Sequence, residues 1–400
     1  RRRPRCAASA TGSWANHRLI WSTLTNAGGW FMLRAVREAV AGETVERVSQ
    51  IWRDFGDREC GTYSPLYAAI SHSVADDPEL LALVADAPPS GQQPNVLLAA
   101  VHYLVLSGIA HPLADVYAGR ADPDLAPALF RDLCLSQRHN VGRILANRHT
   151  QTNEPGRAAL LAVGLAAAAD LVGEPIGLLD AGCSGGLNLL IDRYRFEYGL
   201  MGSLGPSDSP VTITCELRGA APVPTRLPTI AARLGVDRSP VDIAKAEDVR
   251  WLLACVWPDT GRLARTAAAM ELARRHPPKI MSGDMVTDLD SALDTFDLSL
   301  PIVVITTSAC GYLSVEQRHA FLAVLERRAR RQPLAWLSVD APGVIDVVPI
   351  PPTIGHPGPS ASVMGLVTFE TGTAVGRALG LCHAHGAWME WTDTQSTPSG

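Results

Sequence analysis

The chain has 400 residues, 47% of them hydrophobic and 19% charged, which is enough for a substantial buried core and excludes global disorder. A formal charge of -5 gives no general attraction to nucleic acid or an anionic membrane, and no apolar run reaches the roughly 18–20 residues of a span, so neither is expected as a partner. The eight cysteines never fall as Cys-x-x-Cys, which argues for reduced thiols in a cytoplasmic protein and against a disulfide scaffold. Arg1, Arg2, Arg3 and Arg5 read as a solvated tail, and since the first methionine is Met32, residues 1–31 are expected to be a poorly packed extension.

From 32 to 150 the pattern predicts a helical domain, with helices at 36–52, 65–74, 78–85, 94–107, 124–134 and 140–146, several of them started by proline or Asp/Asn. Leu97, Leu98, Val101, Leu104 and Val105 share one helix face, so His102 and Tyr103 beside them read as packing residues. A further alanine-rich helix is expected at 155–172. It delivers the chain to a strand beginning at Ile176, so its start should lie at that strand's carboxyl end. Gln151, Thr152, Asn153, Glu154 and Arg157 are therefore expected beside the turn that follows the strand.

After 174 strands alternate with helices, which predicts a doubly wound α/β sheet over 151–395. Seven strands are expected, at 176–180, 232–236, 279–283, 302–306, 334–339, 364–370 and 387–391. Helices are expected at 187–194, 248–255, 263–275, 288–293 and 315–330. The stretch 196–230 reads as an insertion whose segment 211–218 forms a hairpin arm.

The most informative run is Leu178 to Asn188, Leu-Leu-Asp-Ala-Gly-Cys-Ser-Gly-Gly-Leu-Asn: strand, tight glycine turn, helix. Such a turn brings backbone amides close to a ligand, and an acid at the strand end can hold a hydroxyl or a cation. Asp180, Gly182, Ser184 and Gly186 fit D-x-G-x-[G/S]-x-G, which resembles motif I of class I S-adenosylmethionine (SAM) methyltransferases. Gly185 and Asn188 belong to the same turn. Later strands end in Asp237, in Asp284 followed by Met285, and in Thr306, which would supply an acid for ribose, an acceptor for adenine, an apolar wall and a further polar contact. Asp237 lies far beyond the roughly 20 residues usual after the turn, which the insertion would explain.

Gly182, Ser184 and Gly186 also spell the G-x-S-x-G nucleophile elbow of serine hydrolases, with Asp340 and then His383 or His385 following in the order of that fold. No strands are expected upstream of 174, which weighs against it. Dinucleotide binding is disfavoured because Ser184 occupies the second glycine position of G-x-G-x-x-G. His383 and His385 lack a completing ligand set, so no metal is expected.

Several blocks together resemble an uncharacterised bacterial family, domain of unknown function 2332. They include Ser64-Pro65-Leu66-Tyr67, Ala75-Asp76-Asp77-Pro78, Gln151-Thr152-Asn153-Glu154, Asp192-Arg193-Tyr194 and Trp257-Pro258. The resemblance implies a helical region joined to a methyltransferase-like Rossmann domain, with no established substrate. The chain departs from it at Cys183, Gly185, Pro155 and Asp340. The expected activity is methyl transfer from SAM to a small polar substrate, with Glu154, His385 or Asp340 as base and Asn153, Arg157, Tyr194 and Tyr312 as substrate contacts. Alternatives are the hydrolase built on Ser184, Asp340 and His385, and a non-catalytic SAM-binding or protein-interaction module.

Overall fold

The computed structural model describes residues 44–61, 63–351 and 361–392, so the expected extension at 1–31 lies outside the described residues. α1 covers 44–54 and continues through a π turn at Phe55–Cys60. α2 (Pro65–Ala75) begins where the Ser64 hydroxyl accepts the Tyr67 amide, and α3 (Pro78–Ala85) where Asp77 accepts the amides of Glu79 and Leu80. In both, proline at the first position presets φ and lacks an amide that would have no helical partner. α4 (Pro94–Leu106), α5 (Leu113–Tyr117), α6 (Ala126–Ser136) and α7 (Arg138–Asn147) complete the region around a core of Trp52, Tyr67, Leu97, Leu98 and Phe130. His102 is a buried packing residue, with Nδ1 3.2 Å from the carbonyl oxygen of Ala254 and its ring edge-on to Tyr117.

α8 (Arg157–Val172) is buried along most of its length. β1 (Ile176–Ala181) follows and is buried on both faces, as a central parallel strand must be. The expected helix at 187–194 is a 3₁₀ stretch, Leu187–Arg193, broken at Leu190. Then come β2 (Arg195–Glu197), β3 (Ser203–Leu204), β4 (Thr212–Thr214) and β5 (Glu216–Arg218). The expected hairpin at 211–218 does not form. β4 pairs with β2 in a small three-stranded sheet, β5 pairs with the main sheet, and the buried Cys215 lies between the two pairings.

β6 (Ile230–Asp237), α9 (Ala246–Ala254), α10 (Leu263–Arg275), β7 (Ile280–Ser282), α11 (Leu289–Leu293), β8 (Ile302–Thr307), α12 (Val315–Ala329) and β9 (Leu334–Asp340) alternate as the pattern predicts. β10 (Ala361–Glu370), β11 (Thr373–His383) and β12 (Trp388–Trp391) form an antiparallel meander. Among the described residues the main sheet has nine strands, in the order β5-β12-β11-β10-β9-β8-β1-β6-β7, against the seven expected. β11 escapes the alternation rule because Gly376 and Gly380 interrupt it. A Cβ at either would stand 2.1 Å from a carbonyl oxygen, so these glycines mark close backbone approach and not a break.

The fold is therefore mixed α/β, a helical N-terminal region followed by a large, mostly parallel sheet. Trp251 of α9 reaches into the core of the helical region and ties the two together. From β1 the chain winds outward to β6 and β7, then crosses back to β8 and β9, all five parallel. The winding reverses between β1 and β8, where an open α/β sheet leaves a crevice beyond its carboxyl ends. Among the described residues no helix is long and apolar enough to cross a membrane.

The turn between β11 and β12 sets the position of α8. Gly386 has φ 76°, and a Cβ there would lie 2.0 Å from the carbonyl oxygen of Gly156, immediately before Arg157. Gly386→Ala is expected to destabilise the protein by about 2–4 kcal/mol, combining left-handed strain with overlap against backbone. A urea midpoint unchanged from wild type would contradict this reading.

Candidate functional site

Beyond the carboxyl ends of β1, β6, β7 and β8 lies a cavity of about 350 Å³, within the range of small-molecule sites. The glycine turn lines it through Gly182 and Ser184, β6 through Asp237, β7 through Asp284 and Met285, and β8 through Thr307, Ser308 and Ala309. The segment from His149 to Thr152, with Arg157, closes the side next to α8, so that of the five residues expected beside the turn Gln151, Thr152 and Arg157 line the cavity. Gly182 has φ 84°, and a Cβ there would meet that of Ala309 at 2.6 Å, so only glycine lets the turn close against the loop after β8.

Ser184 and Ser308 also take positive φ, 52° and 54°. Among the described residues the one other such non-glycine is Thr371, in the turn between β10 and β11. Each such residue costs on the order of 1–2 kcal/mol, so backbone strain is concentrated on the cavity rim. Asp237 holds the rim together. One carboxylate oxygen accepts the Ser184 amide and the other the Ser239 amide, both at 2.8 Å. Asp284 accepts the amides of Val286 and Thr287 through Oδ1, and its Oδ2 pairs with Arg238, whose side chain is 72% exposed. Asn153 accepts the Leu187 amide at 3.1 Å and so clamps the turn from the α8 side.

Few of the turn's amides remain for a ligand. Those of Gly182 and Cys183 go to Val236, that of Gly186 to Cys183, and those of Ser184 and Leu187 to the two side chains just named. The turn thus shapes the cavity more than it donates to it.

A family model described as "Uncharacterized protein conserved in bacteria (DUF2332)" matches residues 49–391, a span that contains every residue lining this cavity. The chain belongs to the DUF2332 family. A comparison with curated proteins and one with solved structures each find no match.

In this DUF2332 member several residues singled out from the sequence do not reach the cavity. Asp180 lies beneath the turn, wholly buried, with neither carboxylate oxygen meeting a donor among the described residues. Burial, reinforced by the nearby Asp237 charge, pushes its carboxyl up to about 7, against the smaller opposing effects of Asn188 and Arg157. Asn188, Gly185 and Gly186 support the turn from behind it, Asn188 through a hydrogen bond to the Thr307 hydroxyl at 3.3 Å. Thr306 accepts from the Trp336 indole at 3.0 Å, and Thr307, not Thr306, faces the cavity. Tyr194 is a core residue whose hydroxyl donates to the carbonyl of Leu187 at 2.7 Å. Tyr312, 85% exposed, does line the cavity.

None of the three expected bases lines it. Glu154 is enclosed by Arg262 and Arg265, at 2.8 and 2.9 Å. His385 lies against Tyr63, its Nδ1 without a partner among the described residues, and burial together with Arg262 and Arg157 holds it well below the usual histidine range. Asp340 accepts the Gly311 amide at 3.2 Å, and burial pushes its carboxyl up to about 6. The Ser184 hydroxyl makes no hydrogen bond among the described residues, so Ser184, Asp340 and His385 form no proton relay.

Arg238, Ser239, His149 and Thr150 were not anticipated. The signal for the first two was their place directly after the strand-end Asp237. For the others it was the polar run continuing back from Gln151.

Proposed function

We propose that the crevice binds S-adenosylmethionine and that the chain transfers its methyl group to a small polar substrate. One observation carries the reading: the glycine turn of β1, Asp237 of β6 and Asp284 with Met285 of β7 border one cavity at the winding reversal. The residues fit the ligand's parts. Asp237 keeps carboxylate lone pairs free beyond its two amides and can accept ribose hydroxyls. Met285, Ala309 and Leu313 offer apolar surface to a base. Asp284 can accept an exocyclic amine once Arg238 swings away, and an ion pair this exposed is worth only about 0–1 kcal/mol.

When bound, the cofactor supplies an electrophilic methyl group on a sulfonium. The chain's own part is to hold and orient. Thr307, Ser308, Tyr312 and Gln151 stand at the β8 and α8 side, where an acceptor would be placed for in-line attack. A base is needed only for an acceptor that must lose a proton, and the absence of Glu154, His385 and Asp340 from the cavity lining favours an acceptor that attacks as a neutral lone pair or an existing anion.

Asp237→Ala is expected to weaken S-adenosylhomocysteine binding by about 10-fold or more, the usual loss for a hydrogen bond to a charged group. Equal calorimetric affinity for folded variant and wild type would count against the assignment. Turnover on acceptor panels separates a methyltransferase from a module that binds without reaction.

A further inference from the structure

Arg157 is 4% exposed and lines the cavity, yet among the described residues it has no carboxylate within ion-pair distance. A buried cation without a partner is unfavourable, and burial pulls its pKa down despite the more distant charges of Glu154 and Asp340. Glu154 is engaged with Arg262, Arg265 and the Gly156 amide, and Asp340 accepts the Gly311 amide through Oδ1 while its Oδ2, buried without a donor among the described residues, forms no ion pair with Arg157. The guanidinium is nevertheless fixed in place. Nε donates to the carbonyl oxygen of Ala384 at 2.8 Å and Nη1 to that of Thr307 at 3.2 Å, while Nη2 makes no hydrogen bond among the described residues and is not fully buried. A rigid, charged donor is thus left over at the wall of a cavity whose glycine turn offers few free amides to an anion.

We propose that Arg157 is the receptor for a carboxylate of the bound ligand. A monoanion suits the site better than a phosphate dianion, because Asp237 and Asp284 border the same cavity and repel a second negative charge. The carboxylate has two possible sources, the amino-acid end of the cofactor or the methyl acceptor. The first rests on the adenosyl reading above and the second does not.

The test compares wild type, Arg157→Met and Arg157→Lys in two arms. Calorimetry measures S-adenosylhomocysteine against 5′-methylthioadenosine, which lacks the amino-acid carboxylate. Thermal shift measures sodium acetate, benzoate and phosphate against sodium chloride at matched ionic strength. If the cofactor is the source, wild type prefers S-adenosylhomocysteine by about 10-fold or more, and the preference collapses in Arg157→Met and partly returns in Arg157→Lys. If the acceptor is the source, that preference is the same in all three proteins, and acetate or benzoate raises the melting temperature of wild type but not of Arg157→Met. The proposal is overturned if a folded Arg157→Met behaves as wild type in both arms, or if phosphate alone stabilises. Should Arg157→Met not fold, a wild type indifferent to carboxylates and to the amino-acid end overturns it equally. Absence of any adenosyl binding counts against the cofactor reading only, and the carboxylate arm then decides the role of Arg157.

Discussion

Glu154→Gln is expected to destabilise the protein by about 3–5 kcal/mol at neutral pH, the scale for removing one partner of a buried ion pair. The Glu154 side chain is 1% exposed and meets two arginines as well as the Gly156 amide at the entry to α8. Glutamine keeps the shape but leaves Arg262 and Arg265 without a counter-charge. Burial alone would raise the Glu154 carboxyl, but the two arginines and the amide outweigh it and hold the group below its ordinary 4.5. The stabilisation is therefore present above pH 4.5 and is lost as pH falls through the depressed value, so the difference between variant and wild type narrows in acid. Urea denaturation at pH 7 and pH 3 checks both size and sign. A gap under about 1 kcal/mol at pH 7 would mean that the carboxylate does not hold the cluster together.

Asp180→Asn should act in the opposite sense. The carboxyl titrates near 7 in the folded protein against an ordinary 3.8, so the folded state binds a proton that the unfolded state has released. Below pH 4 the group is neutral in both states and contributes nothing. Between pH 4 and 7 it increasingly favours unfolding, and above 7 the full penalty of about 4 kcal/mol is present. Asparagine carries no such penalty. The stability difference between variant and wild type should therefore shift in favour of the variant by about 4 kcal/mol from pH 4 to pH 8. Denaturation curves that stay parallel across that interval would refute it. A protonated Asp180 also has a hydrogen to offer the side-chain oxygen of Asn188, which is itself buried without a donor among the described residues.

Much of the architecture is readable from local chemistry. The helix at 78–85 is bounded as expected because Asp77 and Pro78 define its start, and 263–275 because its alanine-rich run has no breaker before Pro277. The position of the 151–157 segment followed from chain direction alone. What escaped depends on contacts distant in sequence. Nothing near Glu154 shows that Arg262 and Arg265 will enclose it, so an acid that looks available as a base is in fact an ion-pair partner. Thr306 and Thr307 cannot be ranked by pattern, because β8 is buried on both faces and a one-residue offset exchanges the core for the crevice. Tyr194 carries the same ambiguity between core and surface, and packing resolves it.

The most direct test of the crevice is a calorimetric titration of the full chain with S-adenosylmethionine. Saturable binding at one site per chain, weakened by Asp237→Ala, is the expected result. No heat of binding at millimolar ligand to folded protein would contradict it.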